Sequence, residues 1–182
     1  PIAAATTPEL PTAPLVTTGT EWHYLDTAVD PSARGADRNS WTAPDFADDA
    51  WAVAPGAFGV KGNKLAAVGP YTPKTKLQHY INDTAAPTVP TYFFRTSFEL
   101  AEGTAAQIGA VKSEVIYDDA LRVYVNGEKV AGFVDERVDD ANPSNLQYAG
   151  NSAGDPAKST FAIDPALLHD GTNTIAVALY QD

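Results

Sequence analysis

The run Leu121-Arg122-Val123-Tyr124-Val125, ending in Asn126-Gly127, constrains this chain more than any other feature. Strict alternation sends Leu121, Val123 and Val125 to one side of a strand and Arg122 and Tyr124 to the other. Asn-Gly accepts the positive φ angles of a type I′ turn, whose twist matches that of two antiparallel strands. The chain is therefore expected to turn back here into a second strand over 128–133. Comparable runs of β-branched and aromatic residues recur at 21–26, 90–100, 110–117, 159–163 and 173–181, each bounded by turn-forming residues. Thirteen glycines and fourteen prolines interrupt the chain too often for long helices, and a 44% hydrophobic content is too high for disorder. The expectation is an all-β fold, an antiparallel β-sandwich. One helical turn is expected after Asp164-Pro165, where Asp caps and Pro opens it and Gly171 stops it.

Residues 1–19, rich in Ala, Thr and Pro, read as a tail or linker, and 20–182 as a single domain. A domain of that size buries roughly 70% of the surface of its unfolded chain, so a core forms without staples. Two long irregular stretches, 56–90 and 134–158, are where functional loops are expected.

Charge narrows the partners. Twelve basic against 23 acidic residues give −11, which repels phosphate backbones and anionic lipid surfaces, so nucleic acid is set aside. No apolar stretch approaches the ~18 residues that a membrane-spanning helix requires. The absence of cysteine removes disulfides, thiolate nucleophiles and Cys-based zinc sites. Without any methionine the chain is expected to be a mature or trimmed one, which permits secretion.

Catalytic chemistry is thinly represented. His23, His79 and His169 are dispersed, with no metal-ligand spacing. No G-x-S-x-G elbow occurs, and Gly56, Gly59 and Gly62 lack the strand-to-helix context and the Lys-Ser/Thr of a phosphate loop. Asp48-Asp49, Asp118-Asp119 and Asp139-Asp140 are paired carboxylates, but neighbours in a strand point to opposite faces and make no acid–base pair. They either ligate calcium through oxygen, with Asp118 and Asp119 the nominated metal residues, or cap turns. Asn82-Asp83-Thr84 fits a glycosylation acceptor. The domain itself is expected to lack hydrolytic activity.

Several aromatic motifs follow one another in order: Trp22-His23-Tyr24, Trp41, Phe46 through Trp51, Gly56-Ala57-Phe58-Gly59, Tyr92-Phe93-Phe94-Arg95-Thr96, Asp118-Asp119-Ala120, Asn126-Gly127 and the segment 161–177. This order resembles the galactose-binding-like β-sandwich, a jelly roll shared by many carbohydrate-binding modules. The narrower likeness is to the non-catalytic module of secreted bacterial metallophosphoesterases of the purple-acid-phosphatase type, carried by the Gly-Ala-Phe-Gly, Tyr-Phe-Phe-Arg-Thr and Asp-Asp-Ala segments. The resemblance spans about 20–181. It implies a carbohydrate- or cell-wall-binding module of a secreted or surface bacterial multidomain enzyme, with a glycan and the catalytic domain of the same polypeptide as partners. The alternatives are a structural domain packed on a catalytic domain, or the sugar-binding-type domain of a glycoside hydrolase. In resembling modules the strand corresponding to 174–181 is followed by a turn and a closing strand. This chain stops first, so a groove beside 173–181 is expected, filled by another segment such as 1–20.

Trp22, Trp51, Phe94 and Phe98 suit a sandwich core. Outside it, Trp41, Tyr71, Tyr80 and Tyr148, with Asn145 and its neighbours Asn142 and Gln147, are the candidate ligand-binding residues, either as stacking platforms or as loop aromatics tucked onto the sandwich. Arg95, amid aromatic residues, needs a carboxylate if buried, and Asp118 or Asp119 is the expected partner.

Overall fold

The computed structural model describes residues 13–32, 37–150 and 156–182. Among the described residues ten strands form in order: β1 (Glu21–Leu25), β2 (Ala52–Pro55), β3 (Phe58–Gly59), β4 (Thr75–Lys76), β5 (Thr91–Leu100), β6 (Val111–Tyr117), β7 (Ala120–Val125), β8 (Glu128–Phe133), β9 (Ala157–Ile163) and β10 (Gly171–Tyr180). The fold is all-β. Each run read as a strand becomes one within two residues at either end, and the expected turn forms as a 3-10 helix over Pro165–Leu167, with the Asp164 side chain accepting the Ala166 N–H. Asn126 and Gly127 sit at φ 50° and 89°, as a type I′ turn requires. The short strands β2, β3 and β4 have no alternating pattern long enough to reveal them.

Six strands make the main sheet in the order β2-β1-β5-β10-β7-β8, antiparallel throughout. β10 pairs with β5 from Gly171 opposite Leu100 to Tyr180 opposite Thr91, and with β7 from Ile175 opposite Val125 to Tyr180 opposite Ala120. This corrects the expected groove beside 173–181: the last strand lies in the middle of the sheet, paired on both sides, and β2 and β8 are the sheet's edges. The reason is topological. Hairpin β7–β8 docks on one flank of β10 and β5 on the other, so no closing strand is needed to pair it. Of the segment 1–19, only 13–19 lie within the described residues, and there Leu15 packs against the core.

Both faces of this sheet are covered, and every residue of β7 is buried. One face takes Tyr92, Phe94, Val123, Val125, Val177 and Leu179, and it is covered by strands. The β3–β4 segment brings Phe58, Val60 and Leu77 onto it, and the antiparallel β6–β9 ribbon brings Val111, Phe161 and Ile163. Rings chain across this interface, with Tyr24 to Phe58 at 5.2 Å and Phe58 to Phe94 at 4.9 Å. Phe94 is buried, while Trp22, Trp51 and Phe98 pack partly buried against the clusters, as a sandwich core demands. The opposite face carries Phe93, Tyr124, Ala176, Ala178 and Tyr180, and two irregular loops cover it, the described part of 26–51 and 134–149.

Candidate functional site

The loop-covered face holds most of the buried polar chemistry. Arg95 and Arg122 project from β5 and β7, each opposite a small residue of β10, Ala176 and Ala178 respectively. The alanines leave room for two guanidinium groups in the middle of a sheet. Arg95, 3% exposed, donates to Asp48 Oδ2 at 2.7 Å, to the Trp41 carbonyl and to the Ala43 carbonyl at 3.0 Å, with Phe46 5.3 Å from its guanidinium. It thereby fastens the 26–51 loop. Arg122, 2% exposed, donates to Asp140 Oδ1 at 2.9 Å and the Val138 carbonyl at 3.0 Å, and fastens the 134–149 loop. Asp48 replaces the expected Asp118 or Asp119 as the partner of Arg95, because the loop from β1 to β2 folds back over the sheet and delivers Asp48 there.

The two loops are also tied to each other. Arg38 donates to the carbonyls of Asp139, Asp140 and Asn142 at 3.1, 2.7 and 2.6 Å. Asp30 accepts from the Asn145 N–H at 2.8 Å and from Asn145 Nδ2 at 2.9 Å. Gln147 accepts the Asp139 N–H at 2.8 Å and, through its own N–H, donates to Thr91 Oγ1 at 3.0 Å. These bonds satisfy backbone groups that a buried irregular loop otherwise leaves unpaired. Arg122 and Arg38 escaped the sequence reading; a charge in the middle of an alternating strand, as at Arg122, was the available signal.

Ionisation in this region follows its packing. Burial pushes the Tyr124 phenol up to about 12 and raises Tyr180 as well. For Asp140 burial pushes the carboxyl up, but the Lys129 hydrogen bond and the charges of Arg122, Lys129 and Arg38 outweigh it and leave it below the usual carboxylate value.

The candidate ligand residues separate into two sets. Trp41, 1% exposed, stands edge-on between Phe93 at 5.0 Å and Tyr124 at 5.8 Å, so its indole has no face left for a ligand and serves the core. Asn145, 3% exposed, is the hydrogen-bonding hub of the two loops. Asn142 and Gln147 likewise bond within those loops. Tyr71 is half-buried at a tight turn, bonded to Val68 through both backbone groups.

Tyr80 and Tyr148 do come together. Tyr80 is bridged to Thr88 across the 80–88 loop, and the Tyr148 hydroxyl donates to the Thr88 carbonyl at 2.7 Å. Tyr148 is 39% exposed, Ile81, next to Tyr80 in the chain, is exposed too, and Tyr80 is half-buried, edge-on to His79 at 4.3 Å. This patch lies on a fixed base. Tyr92 donates to the Gln78 carbonyl at 2.8 Å, Asp26 accepts the Gln78 N–H at 2.7 Å, and the Gln78 amide reaches the Tyr80 carbonyl at 2.8 Å.

The nominated metal pair is differently placed. The Asp119 carboxylate accepts the Asp182 N–H at 2.8 Å, and the Asp118 carbonyl accepts from the Gln181 side-chain amide nitrogen Nε2 at 2.7 Å. Among the described residues no three His, Cys, Asp or Glu side chains converge in the manner of a metal shell. Among the same residues no helix is long and apolar enough to cross a membrane.

No protein-family model matches this chain, and no curated protein does. Solved structures with a similar fold include a glycosyl hydrolase family 2 member from Bacteroides cellulosilyticus, 16% identical over 89% of this chain and 17% of its own, with a TM-score of 0.47. A β-glucuronidase from glycoside hydrolase family 2 is 15% identical over 96% of this chain and 15% of its own, with a TM-score of 0.48. A β-glucuronidase from Ruminococcus gnavus, solved in complex with D-glucuronic acid, is 12% identical over 90% of this chain and 21% of its own, with a TM-score of 0.42. This chain thus spans about a sixth of the length of the first two.

Proposed function

We propose that this chain is a non-catalytic, glycan-binding β-sandwich module of a larger secreted or surface enzyme, and that Tyr80 and Tyr148 form its sugar platform. The observation that supports it most is the pairing of these two tyrosines, brought from loops 68 residues apart in sequence, on a loop anchored from beneath by Tyr92 and Asp26. A stacking site needs aromatic faces held still before the sugar arrives, because ordering them on binding costs affinity. The buried ionic groups, by contrast, are committed to holding loops on the sheet. The parent enzyme is either a glycoside hydrolase or a metallophosphoesterase of the kind the sequence resembles, and the module's own task is the same in both.

A glycan array probed with the intact chain and with Tyr148→Ala tests this. The variant should lose about tenfold in affinity, since an aromatic contact contributes about 1.5 kcal/mol, while keeping its melting temperature. Equal binding by both proteins, or no glycan retained at all, would discard the platform.

A further inference from the structure

We infer that the glycan crossing the Tyr80–Tyr148 patch is an anionic polysaccharide, with carboxylate or phosphodiester groups along its chain, and that Lys61, Lys64, Lys74 and Lys76 receive those charges; this rests on the reading of that patch as a sugar platform. Between Asp49 and Asp83 the sequence contains these four lysines and no Asp or Glu. A third of the chain's twelve basic residues thus fall within sixteen positions of a protein whose net charge is −11. All four are exposed, and among the described residues none of them is in an ion pair. Elsewhere on the surface, Lys129 and Lys158 each have a carboxylate partner, Asp140 and Glu114.

The local geometry works against an accident of composition. Lys61 and Lys64 exchange both backbone hydrogen bonds, at 3.0 and 3.1 Å, around a two-residue turn made by Gly62 and Asn63 at φ 53° and 60°. That turn makes the two lysines a directly opposed cross-strand pair, and like charges so paired destabilise a hairpin when nothing neutralises them. Lys74 and Lys76 flank Thr75, whose hydroxyl donates inward to the Pro55 carbonyl at 2.7 Å, so the extended backbone sends both lysines outward. An external anion relieves this repulsion at each pair.

The basic lobe adjoins the aromatic patch. Asn63, in the lysine turn, donates to the Asp83 carbonyl at 2.8 Å, three residues from Tyr80 in the same loop. Asp83 is the acidic boundary of the lobe, with its carboxylate 3.3 Å from Asn63 Nδ2. A polymer lying across Tyr80 and Ile81 therefore continues onto Lys61 and Lys64. Nucleic acid carries the same charge, but a strongly acidic protein outside this lobe repels a long stiff polyanion, whereas a flexible glycan touches the lobe alone.

Affinity electrophoresis of the intact chain in gels containing polygalacturonate, poly(glycerol phosphate), dextran, polyglutamate or double-stranded DNA tests the inference. Retardation is expected on polygalacturonate, poly(glycerol phosphate) or both, which tells carboxylate from phosphodiester. The combined variant Lys61→Gln, Lys64→Gln, Lys74→Gln, Lys76→Gln should bind about tenfold more weakly, as should the unaltered chain in about 0.5 M salt. Lys112→Gln with Lys158→Gln, on the β6–β9 ribbon, should leave retardation unchanged. Equal retardation by polyglutamate or DNA, or equal loss in the ribbon variant, overturns the inference. If dextran alone is retained, in a manner that depends on Tyr148, the sugar platform survives and the anionic ligand does not. If no glycan retards the chain, both fall.

Discussion

The two covers of the main sheet hold on by different physics. On the strand-covered side, Phe58, Leu77, Val89 and Phe161 pack against aromatic and aliphatic side chains, and contact area does the work. On the other, two irregular loops are fastened by Arg95 and Arg122 and stitched together through Arg38, Asp30 and Asn145. A loop has no ladder to pair its backbone groups, so its attachment needs directional donors and acceptors. Strand β5 contrasts the two modes in adjacent residues, with Phe94 facing the apolar cover and Arg95 the loop cover.

The largest expected effect comes from Arg95→Met. Methionine fills similar space, but the carbonyls of Trp41 and Ala43 lose their donor and Asp48 loses its charge partner, which should cost about 3–5 kcal/mol. Urea unfolding measures it, and a loss below about 1 kcal/mol would show that the loop is held by packing after all. Next to it, Phe94→Leu should cost under about 1.5 kcal/mol, because an apolar cover adapts to an apolar change of modest volume. If the two variants are equally damaged, the contrast between the covers is lost.

Asp140→Asn should cost less than Arg95→Met, since the Asp140 side chain is 65% exposed and water screens its pairing with Arg122 and Lys129. Its folded pKa is depressed, so its contribution is present above the unfolded carboxylate value and fades as pH falls through the folded one. The unaltered chain and Asp140→Asn should therefore differ at pH 7 and converge as pH falls through the lowered folded value of Asp140. A gap that persists in acid would mean that the amide perturbs the loop by shape. The smallest effect concerns calcium. Melting with about 1 mM calcium and with chelator tests the calcium expectation: a rise of several degrees with calcium would support a site at Asp118 and Asp119, and agreement within about 1 °C would remove it.

The legible and the illegible parts of the fold differ in the range of the forces behind them. Alternation in 121–125, the Asn126-Gly127 turn and the capped turn at Asp164 were readable because each depends on neighbours two to four residues away. Tyr80 and Tyr148 were readable as loop aromatics, but their meeting at Thr88 was not. The four lysines between Asp49 and Asp83 escaped the sequence reading, although the charge count there was available, and the cross-turn pairing of Lys61 with Lys64 appears only once the backbone is closed.

The sequence by itself determined an all-β chain with its seven longer strands in place, since period-two alternation and turn chemistry are local properties that survive any packing. Tertiary structure alone decided which side chains were left for solvent. Trp41 and Asn145 look like surface residues in an irregular stretch, yet both are interior, because the loops that carry them cover a sheet face. The same return of the chain chose Asp48, 47 residues from Arg95, over Asp118, 23 residues away, and placed β10 between two partners. A carboxylate's identity as a partner is settled by where the loop lands, and no interval along the chain records it.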